Sequence, residues 1–451
     1  MGIDFRFAKK FAGEKLLKRA IKYIEKDPEN NFLKALNLAE KTVNKEGIQK
    51  KIETLRNGFK NNTMVRTFLK KLKNIDSSYK TGLLSNFFIN ASLLGLPYQN
   101  KMSEELGVDV PWAILMDPTS SCNLKCKGCW AGKYEKKDSL KFETIDRIIT
   151  EAKELGIYFI VLSGGEPTLY PRLFDIFQKH QDVAFMMYTN GTLIDEDFAN
   201  NMLKTGNVSP VISMEGFKET TDERRGKGVF DKIVKAMDIM RKKGIIFGTS
   251  LTITRNNMDE LFGDEEFIDF LIDKGVTYCW SFHYIPVGKD PDLDLMLTSE
   301  QRKYLAYKVP EIRNNKPIFL ADFWNDGNYT KGCIAGGRKY FHINAKGEVE
   351  PCAFVHFAVD NIKNKSLKEV IQNPLFKAYQ KRQPFNENHM APCPIIDNPE
   401  KLRQIVKETN ARPTHEDADM ILKGELAGNL GQISSEWNQV SLPIYEERLK
   451  S

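Results

Sequence analysis

No stretch of this chain is apolar for the roughly 18 to 20 residues that a membrane-spanning helix needs, so a helical membrane protein is excluded. The first ten residues include Asp4, Arg6, Lys9 and Lys10 and hold no apolar signal core. Arg6 also stands where an N-myristoylation pattern requires Ser or Thr. Cysteine is scarce, with seven among 451 residues. Without an export signal, thiols so few and so clustered point to a reducing compartment and metal binding, not to disulfides. The expectation is a cytoplasmic protein. Its hydrophobic share of 41% and charged share of 28% are those of an ordinary globular chain. Its length leaves room for roughly two to four domains.

The net charge of +6 is unevenly placed. Residues 1–100 carry 20 Lys and Arg against 9 Asp and Glu, whereas the remainder carries 46 against 51. A basic segment of this kind faces either solvent or an anionic partner such as a lipid surface, nucleic acid or an acidic protein. Residues 1–105 read as helices. Phe11, Leu16, Leu17, Ala20, Ile21 and Ile24 recur at helical spacing. The segment 27–30 is a break, and Asn30 and Asn31 can cap a helix over 32–43. Residues 48–59 and 64–72 continue the pattern. The stretch 81–100 holds no charged residue, but Asn86, Asn90 and Pro97 make it too polar for a span. It reads as a buried helix packed on the domain that follows. The alternative is an interfacial helix flanked by Lys70, Lys71, Lys73 and Lys80. No strands suggest a peptide-recognition winged helix.

From residue 108 the pattern changes. Apolar runs suit strands at 112–116, 158–162, 184–188, 208–213, 246–252 and 278–282. Helical segments at 142–154, 173–180, 196–204, 230–243 and 261–274 lie between them. This alternation predicts an α/β domain with a parallel sheet or barrel. In such folds ligands bind at the carboxyl ends of the strands.

Two motifs fall at those ends. After the first strand come Cys122, Cys126 and Cys129, spaced C-x3-C-x2-C. Thiolates are the usual ligands of iron–sulfur clusters, which generally take four, so three leave one iron open. A zinc knuckle is the alternative, but zinc usually needs a second pair of ligands, and none lies nearby. After the second strand comes Gly164-Gly165-Glu166-Pro167. The glycines let the backbone turn tightly and approach a ligand, and Glu166 and Pro167 fix the loop. In this order, 35 residues apart, the two motifs resemble those of radical S-adenosylmethionine (SAM) enzymes over residues 108–290. One position departs from that pattern: Gly128 stands where the family places an aromatic residue, and Trp130 follows the third cysteine instead.

The resemblance implies a partial (β/α)6 TIM-like barrel and a [4Fe–4S] cluster on Cys122, Cys126 and Cys129. SAM would chelate the open iron, with the loop of Gly164, Gly165, Glu166 and Pro167 hydrogen-bonding its amino group. One electron from a flavodoxin- or ferredoxin-type donor would cleave SAM to methionine and a 5′-deoxyadenosyl radical, which abstracts hydrogen from the substrate under anaerobic conditions. Asn190, Ser213, Glu215 and Thr252, at later strand ends, are candidates for the ribose hydroxyls or the SAM carboxylate. Arg225 is the candidate for bidentate pairing with that carboxylate. Trp280, His283 and Tyr284 are placed towards a substrate, with a core strand as the other reading of Trp280 and Cys279.

A second cysteine set is Cys333, Cys352 and Cys393. Residues 341–343 and 348–350 suit a hairpin turned at 344–347, and C-x13-G-x4-C resembles the start of the SPASM or twitch extension of many radical SAM maturases. That resemblance implies one auxiliary [4Fe–4S] cluster on these three thiolates, its fourth ligand being substrate, water, His389 or Asp397. The expected division is a basic helical region at 1–105, the barrel at 106–300, an auxiliary-cluster domain of hairpin and helices at 301–398, and a helical packing tail at 399–451. The extension favours a peptide or protein substrate. A lipid or other small molecule modified at a membrane surface, with peripheral contact through residues 1–105, is the second reading. A non-catalytic electron or cluster carrier is the third. No nucleic acid is expected.

Overall fold

The computed structural model describes residue 16 and residues 19–24, 26–42, 49, 53, 56–57 and 71–450. Six parallel strands form its centre: β1 (Ala113–Met116), β2 (Phe159–Leu162), β3 (Ala184–Thr189), β4 (Val208–Met214), β5 (Gly248–Ile253) and β6 (Tyr278–His283). Each lies where the sequence predicts, to within two residues. They are buried on both faces, which is why they read as continuous apolar runs. Ile114, Met116, Ile160, Leu162, Phe185 and Met187 pack outward against the helices. Ala113, Leu115, Phe159, Val161, Ala184 and Met186 face inward and line the lumen. The helix Phe142–Glu154 shows the matching pattern, burying Ile145, Ile148, Ile149 and Ala152 along one stripe.

The sheet does not stop at six strands. A seventh, β7 (Phe319–Asp322), pairs parallel to β6. On the other edge β8 (Tyr340–Ile343) runs parallel to β1, and β9 (Val349–Glu350) returns antiparallel to β8. The order is β7-β6-β5-β4-β3-β2-β1-β8-β9. The hairpin expected at 341–350 therefore continues the barrel sheet. The sequence missed β7 and the helix Ser299–Asn315 before it, in which Pro310 interrupts the helical reading.

The uncharged stretch is a floor. Helix from residue 77 to 106, wound as a π-helix over Ser85–Gly95, crosses the amino ends of the strands. Phe87 packs edge-on against Trp112 and Phe159, with centroids 5.5 and 5.3 Å away. Its amides serve backbone carbonyls just ahead of the strands. Asn86 donates to Gln181 O (2.7 Å) and Val183 O (3.1 Å), Asn90 to Asp182 O (2.9 Å) and Gln99 to Gly156 O (2.8 Å). The Tyr79 hydroxyl donates to Val208 O at 2.6 Å. Buried carbonyls need such donors, so the asparagines that disqualify a membrane span are what the barrel floor requires. The side of the helix that carries Asn86, Ile89 and Asn90 is buried on the barrel, as the buried-helix reading expects, while Phe88 and Leu93 stay exposed on the other.

Other expectations need correction. The break at 27–30 is a helix start: Pro28–Thr42 begins with Pro28, and the Asp27 carboxylate accepts the Asn30 N–H at 3.3 Å. The helix at 261–274 is two, Met258–Phe262 and Glu266–Asp273, separated by Gly263 and by Glu265 at φ 69°. In the C-terminal region the last helix runs Gly424–Lys450, preceded by a short 3-10 turn at Ala418–Ile421. Phe11, Leu17 and most of the helical readings at 48–59 and 64–72 lie outside the described residues. No described helix is long and apolar enough to cross a membrane.

Candidate functional site

The cysteine loop leaves β1 at its carboxyl end and is tied on every side by backbone. Lys127 N donates to Arg224 O (2.9 Å), Lys289 N to Cys129 O (3.1 Å) and Leu140 N to Pro118 O (3.0 Å). Cys122, Cys126 and Cys129 are free thiols at intermediate exposure. The Leu124 N–H points at Cys122 Sγ from 3.4 Å. Burial pushes the Cys122 and Cys126 thiols up, while Arg225 works to lower Cys126.

The second motif is clamped to the first. Gly165 N donates to Thr119 O (3.0 Å) and Glu166 N to Ser121 O (2.8 Å). A Cβ on Gly165 would fall 2.2 Å from Ser121 O, and one on Gly164, at φ 109°, would fall 2.6 Å from Thr119 O. The glycines thus permit approach to the cysteine-loop backbone itself. Glu166 is fully buried, and its carboxylate accepts from Thr189 Oγ1 (2.6 Å), Asn190 N (2.7 Å) and Thr168 N (3.1 Å). Its side chain ties the end of β3 to the loop and is not free for a ligand. Asn190 in turn donates to Asn123 Oδ1 at 2.8 Å, inside the cysteine motif.

Glu215 and Arg225 also differ from expectation. Arg225 gives Nε and Nη2 to the two Glu215 oxygens at 2.5 and 2.6 Å, and Arg224 adds Nη1 at 2.5 Å. Burial works to raise the Glu215 carboxyl, but Arg225 and Arg224 overcome it and hold it below its usual range. Arg225 therefore spends its fork on Glu215 and stands beside Cys126 as a buried positive charge, rather than as an open carboxylate receptor. Ser213 and Thr252 lie half-buried on β4 and β5. In register they pair with Ser250 and Phe282, on the lumen face.

Along that face runs an aromatic belt. Trp280 and Phe282 both stack on Phe323, with centroids 5.2 and 5.0 Å away, and Tyr188 lies 6.1 Å from Phe282. The Trp280 Nε1–H is buried without a partner. His283 points the other way, fully buried and stacked 4.7 Å from Trp324. Trp280 therefore faces the lumen and His283 does not, because side chains on a strand alternate between its two faces. Tyr284 covers Gly128: a Cβ there would fall 2.9 Å from its ring.

Cys333, Cys352 and Cys393 come together from three segments and are also free. Burial pushes Cys352 up to about 12, and the neighbouring Cys333 adds to that; Cys393 is raised by burial, then by Asp397 and, last, Cys333. Among the described residues no three His, Cys, Asp or Glu side chains converge on one ion, so neither set is a ready zinc cage. Thiolates on a cluster bind separate irons and need no such convergence.

Comparison with known proteins agrees with this geometry. The family model described as the radical SAM superfamily matches residues 116–270, and that of the SPASM iron–sulfur cluster-binding domain matches residues 333–394. The chain is a radical SAM enzyme with a SPASM extension. Mycofactocin maturase MftC of Mycolicibacterium smegmatis is 29% identical over 65% of this chain and 78% of its own length. The AdoMet-dependent heme synthase of Methanosarcina barkeri is 23% identical over 59% of this chain and 83% of its own. Two solved structures share the fold at 18% identity and a TM-score of 0.54. Streptococcus suis SuiB bound to S-adenosylmethionine matches over 63% of this chain and 71% of its own. Native anSMEcpe with bound AdoMet matches over 75% and 99%.

A radical SAM enzyme binds a [4Fe–4S] cluster and SAM, and the SPASM extension implies auxiliary iron–sulfur binding. The residues present fit both groups. Three free thiols lie in one loop, half-exposed hydroxyls and an unpartnered indole N–H face the lumen, and a second trio of thiols, Cys352 buried and Cys333 and Cys393 part-buried, lies beyond β9.

Sequence reasoning missed the charged staple between them. His342 on β8 bridges Asp117, just after β1, at 2.9 Å and Glu350 on β9 at 2.7 Å. Burial opposes its charge, but the two carboxylates raise it to about 10. Tyr134 and Thr414 also donate to Glu350, at 3.0 and 2.5 Å. Thr414 shows that the C-terminal region is more than packing. A cavity of about 200 Å³ opens beside it, lined by Lys133, Val287, Phe354, His356, His415 and Met420. It touches both cysteine regions, and no motif in residues 399–451 announces it.

Proposed function

We propose that this radical SAM enzyme modifies a peptide or protein. Cys122, Cys126 and Cys129 hold the SAM-binding [4Fe–4S] cluster, and Cys333, Cys352 and Cys393 hold an auxiliary one. The observation that carries the assignment is the clamp of the Gly164–Gly165 turn on the cysteine-loop backbone, which fixes two loops at one mouth of the barrel. When bound, the cluster and SAM supply a 5′-deoxyadenosyl radical. The chain's own residues do the positioning. Glu166 and Asn190 brace the loops, and Arg225, held in place by Glu215 that it shares with Arg224, sets a positive charge beside Cys126. Ser213 and Thr252 offer hydroxyls to SAM from the lumen wall. The helical floor closes the other end and excludes water. A maturase among the relatives supports the peptide reading. A ferredoxin- or flavodoxin-type protein supplies the electron.

The test is anaerobic reconstitution with dithionite and SAM. Formation of 5′-deoxyadenosine, lost in Cys126→Ala, supports the site. Iron uptake without SAM cleavage across several reductants would sink it. The aromatic lumen favours a second reading, a planar small molecule such as the haem named by another relative. Mass change of a supplied peptide against that of an iron porphyrin separates the two.

A further inference from the structure

Cys352 follows β9, but Cys393 comes from a separate turn and must be held by other means. Pro392 and Pro394 stiffen the backbone on either side of it. Asp397 then closes the turn from both ends. Its Oδ2 accepts the Cys393 N–H at 2.9 Å, and its own N–H donates to the Cys393 carbonyl at 3.0 Å. Inside this ring of bonds the Ile395 N–H points at Cys393 Sγ from 3.4 Å. The same arrangement stands at the open site, where the Leu124 N–H points at Cys122 Sγ from 3.4 Å. An N–H aimed at a cluster sulfur is one of the contacts that set a cluster's properties.

Two helices fix the carboxylate that shapes this turn. Arg302, on helix Ser299–Asn315, gives Nη1 to Asp397 Oδ1 at 2.8 Å, with the two side chains 3% and 0% exposed. Both carboxylate oxygens are thereby engaged, so Asp397 is not placed to be the fourth ligand of a cluster. The Arg302 guanidinium lies 4.0 Å over the ring of Trp437, on the C-terminal helix Gly424–Lys450. From the same helix Ser434 Oγ and Asn438 Nδ2 donate to the Asp397 carbonyl at 2.5 and 3.3 Å. A buried ion pair is weak evidence for stability by itself. Here it holds one carboxylate in one orientation, on the backbone of one cysteine.

We propose that Asp397, fixed by Arg302 and the C-terminal helix, is a positioning residue of the auxiliary cluster: it shapes the turn that presents the Cys393 sulfur to iron. Partners of this kind orient the ligands of metal sites without touching the metal. The helix Gly424–Lys450 is then part of the auxiliary site, through Ser434, Trp437 and Asn438. The inference rests on assigning Cys393 to the auxiliary cluster.

The test begins with the metal-free, reduced full chain. Alkylation by iodoacetamide is followed at each cysteine by peptide mass spectrometry. Asp397→Ala and Arg302→Met should speed the reaction at Cys393 and leave Cys333 and Cys352 at wild-type rates. Arg302→Lys, which keeps a cationic donor, should stay near wild type. The second readout uses the chain with Cys122, Cys126 and Cys129 replaced by Ala, reconstituted to about four irons. There Asp397→Ala should hold its iron about 10–100-fold more weakly against a chelator. Equal acceleration at all three thiols, which a loosened domain would give, overturns the proposal. So does a wild-type rate at Cys393, or iron held as firmly as in the parent chain. If Asp397→Ala does not fold, Ser434→Ala removes only the hydroxyl on the Asp397 carbonyl and decides by the Cys393 rate. Full iron retention by Cys393→Ala would instead overturn the cysteine assignment.

Discussion

The two cysteine sites solve the same problem in opposite ways. Cys122, Cys126 and Cys129 lie within eight residues of one loop. They are half exposed, at the carboxyl ends of parallel strands, with Arg224 and Arg225 beside them. Cys333, Cys352 and Cys393 span 61 residues and are assembled by a sheet extension and helix packing. Their thiols sit in a pocket that disfavours charge until metal binds. An open, positively flanked loop suits a cluster that must admit SAM and receive an electron. A trio drawn from three segments, with Cys352 buried and Cys333 and Cys393 part-buried, suits one that exchanges electrons through protein. The difference in assembly goes with the difference in access.

Breaking the open site should have the largest effect. Cys126→Ala should drop 5′-deoxyadenosine formation to background while leaving about half of the bound iron, read by chromatography and iron assay. Cys352→Ala should do the reverse, losing the auxiliary iron and substrate turnover but keeping SAM cleavage. If both variants lose both clusters, the sites are not independent and the comparison fails.

The charges around the sites come next. Glu215→Gln leaves two part-buried guanidiniums without a carboxylate and should cost up to roughly 3–5 kcal/mol in anaerobic urea unfolding. His342→Gln, in the staple between the two regions, should cost a similar amount. It also has a pH signature. His342 rises from 6.5 to about 10 on folding, so its contribution is complete below the lower value and is lost as pH rises through the upper one. Wild type should therefore lose stability between about pH 7 and pH 10 relative to His342→Gln; parallel curves would remove the staple. The smallest effect belongs to the floor: Tyr79→Phe gives up its bond to Val208 O and should cost about 0.5–1.5 kcal/mol, with SAM cleavage unchanged.

Much of this was legible in the chain. The six barrel strands read correctly because parallel strands covered on both faces are short apolar runs between amphipathic helices, and both properties are local. The open site read as a loop because its ligands share one turn. What the sequence hid is long-range. Ser299–Asn315 was missed because Pro310 breaks the helical pattern, and β7 because its four residues carry no flanking signal. Arg225 looked like a free carboxylate receptor because its partner, Glu215, comes within reach only when helix Lys218–Arg225 folds back on the end of β4. His283 and Trp280 looked equivalent until strand alternation put them on opposite faces.

The sequence by itself determined the chemistry. Three cysteines in one loop and a glycine turn after the next strand suffice, because both motifs work through local backbone geometry. Only the tertiary structure decided what surrounds that chemistry: the asparagine-capped floor, the His342 staple and the second trio of thiols. Those depend on residues brought together across tens or hundreds of positions, where burial, not spacing, sets charge and access.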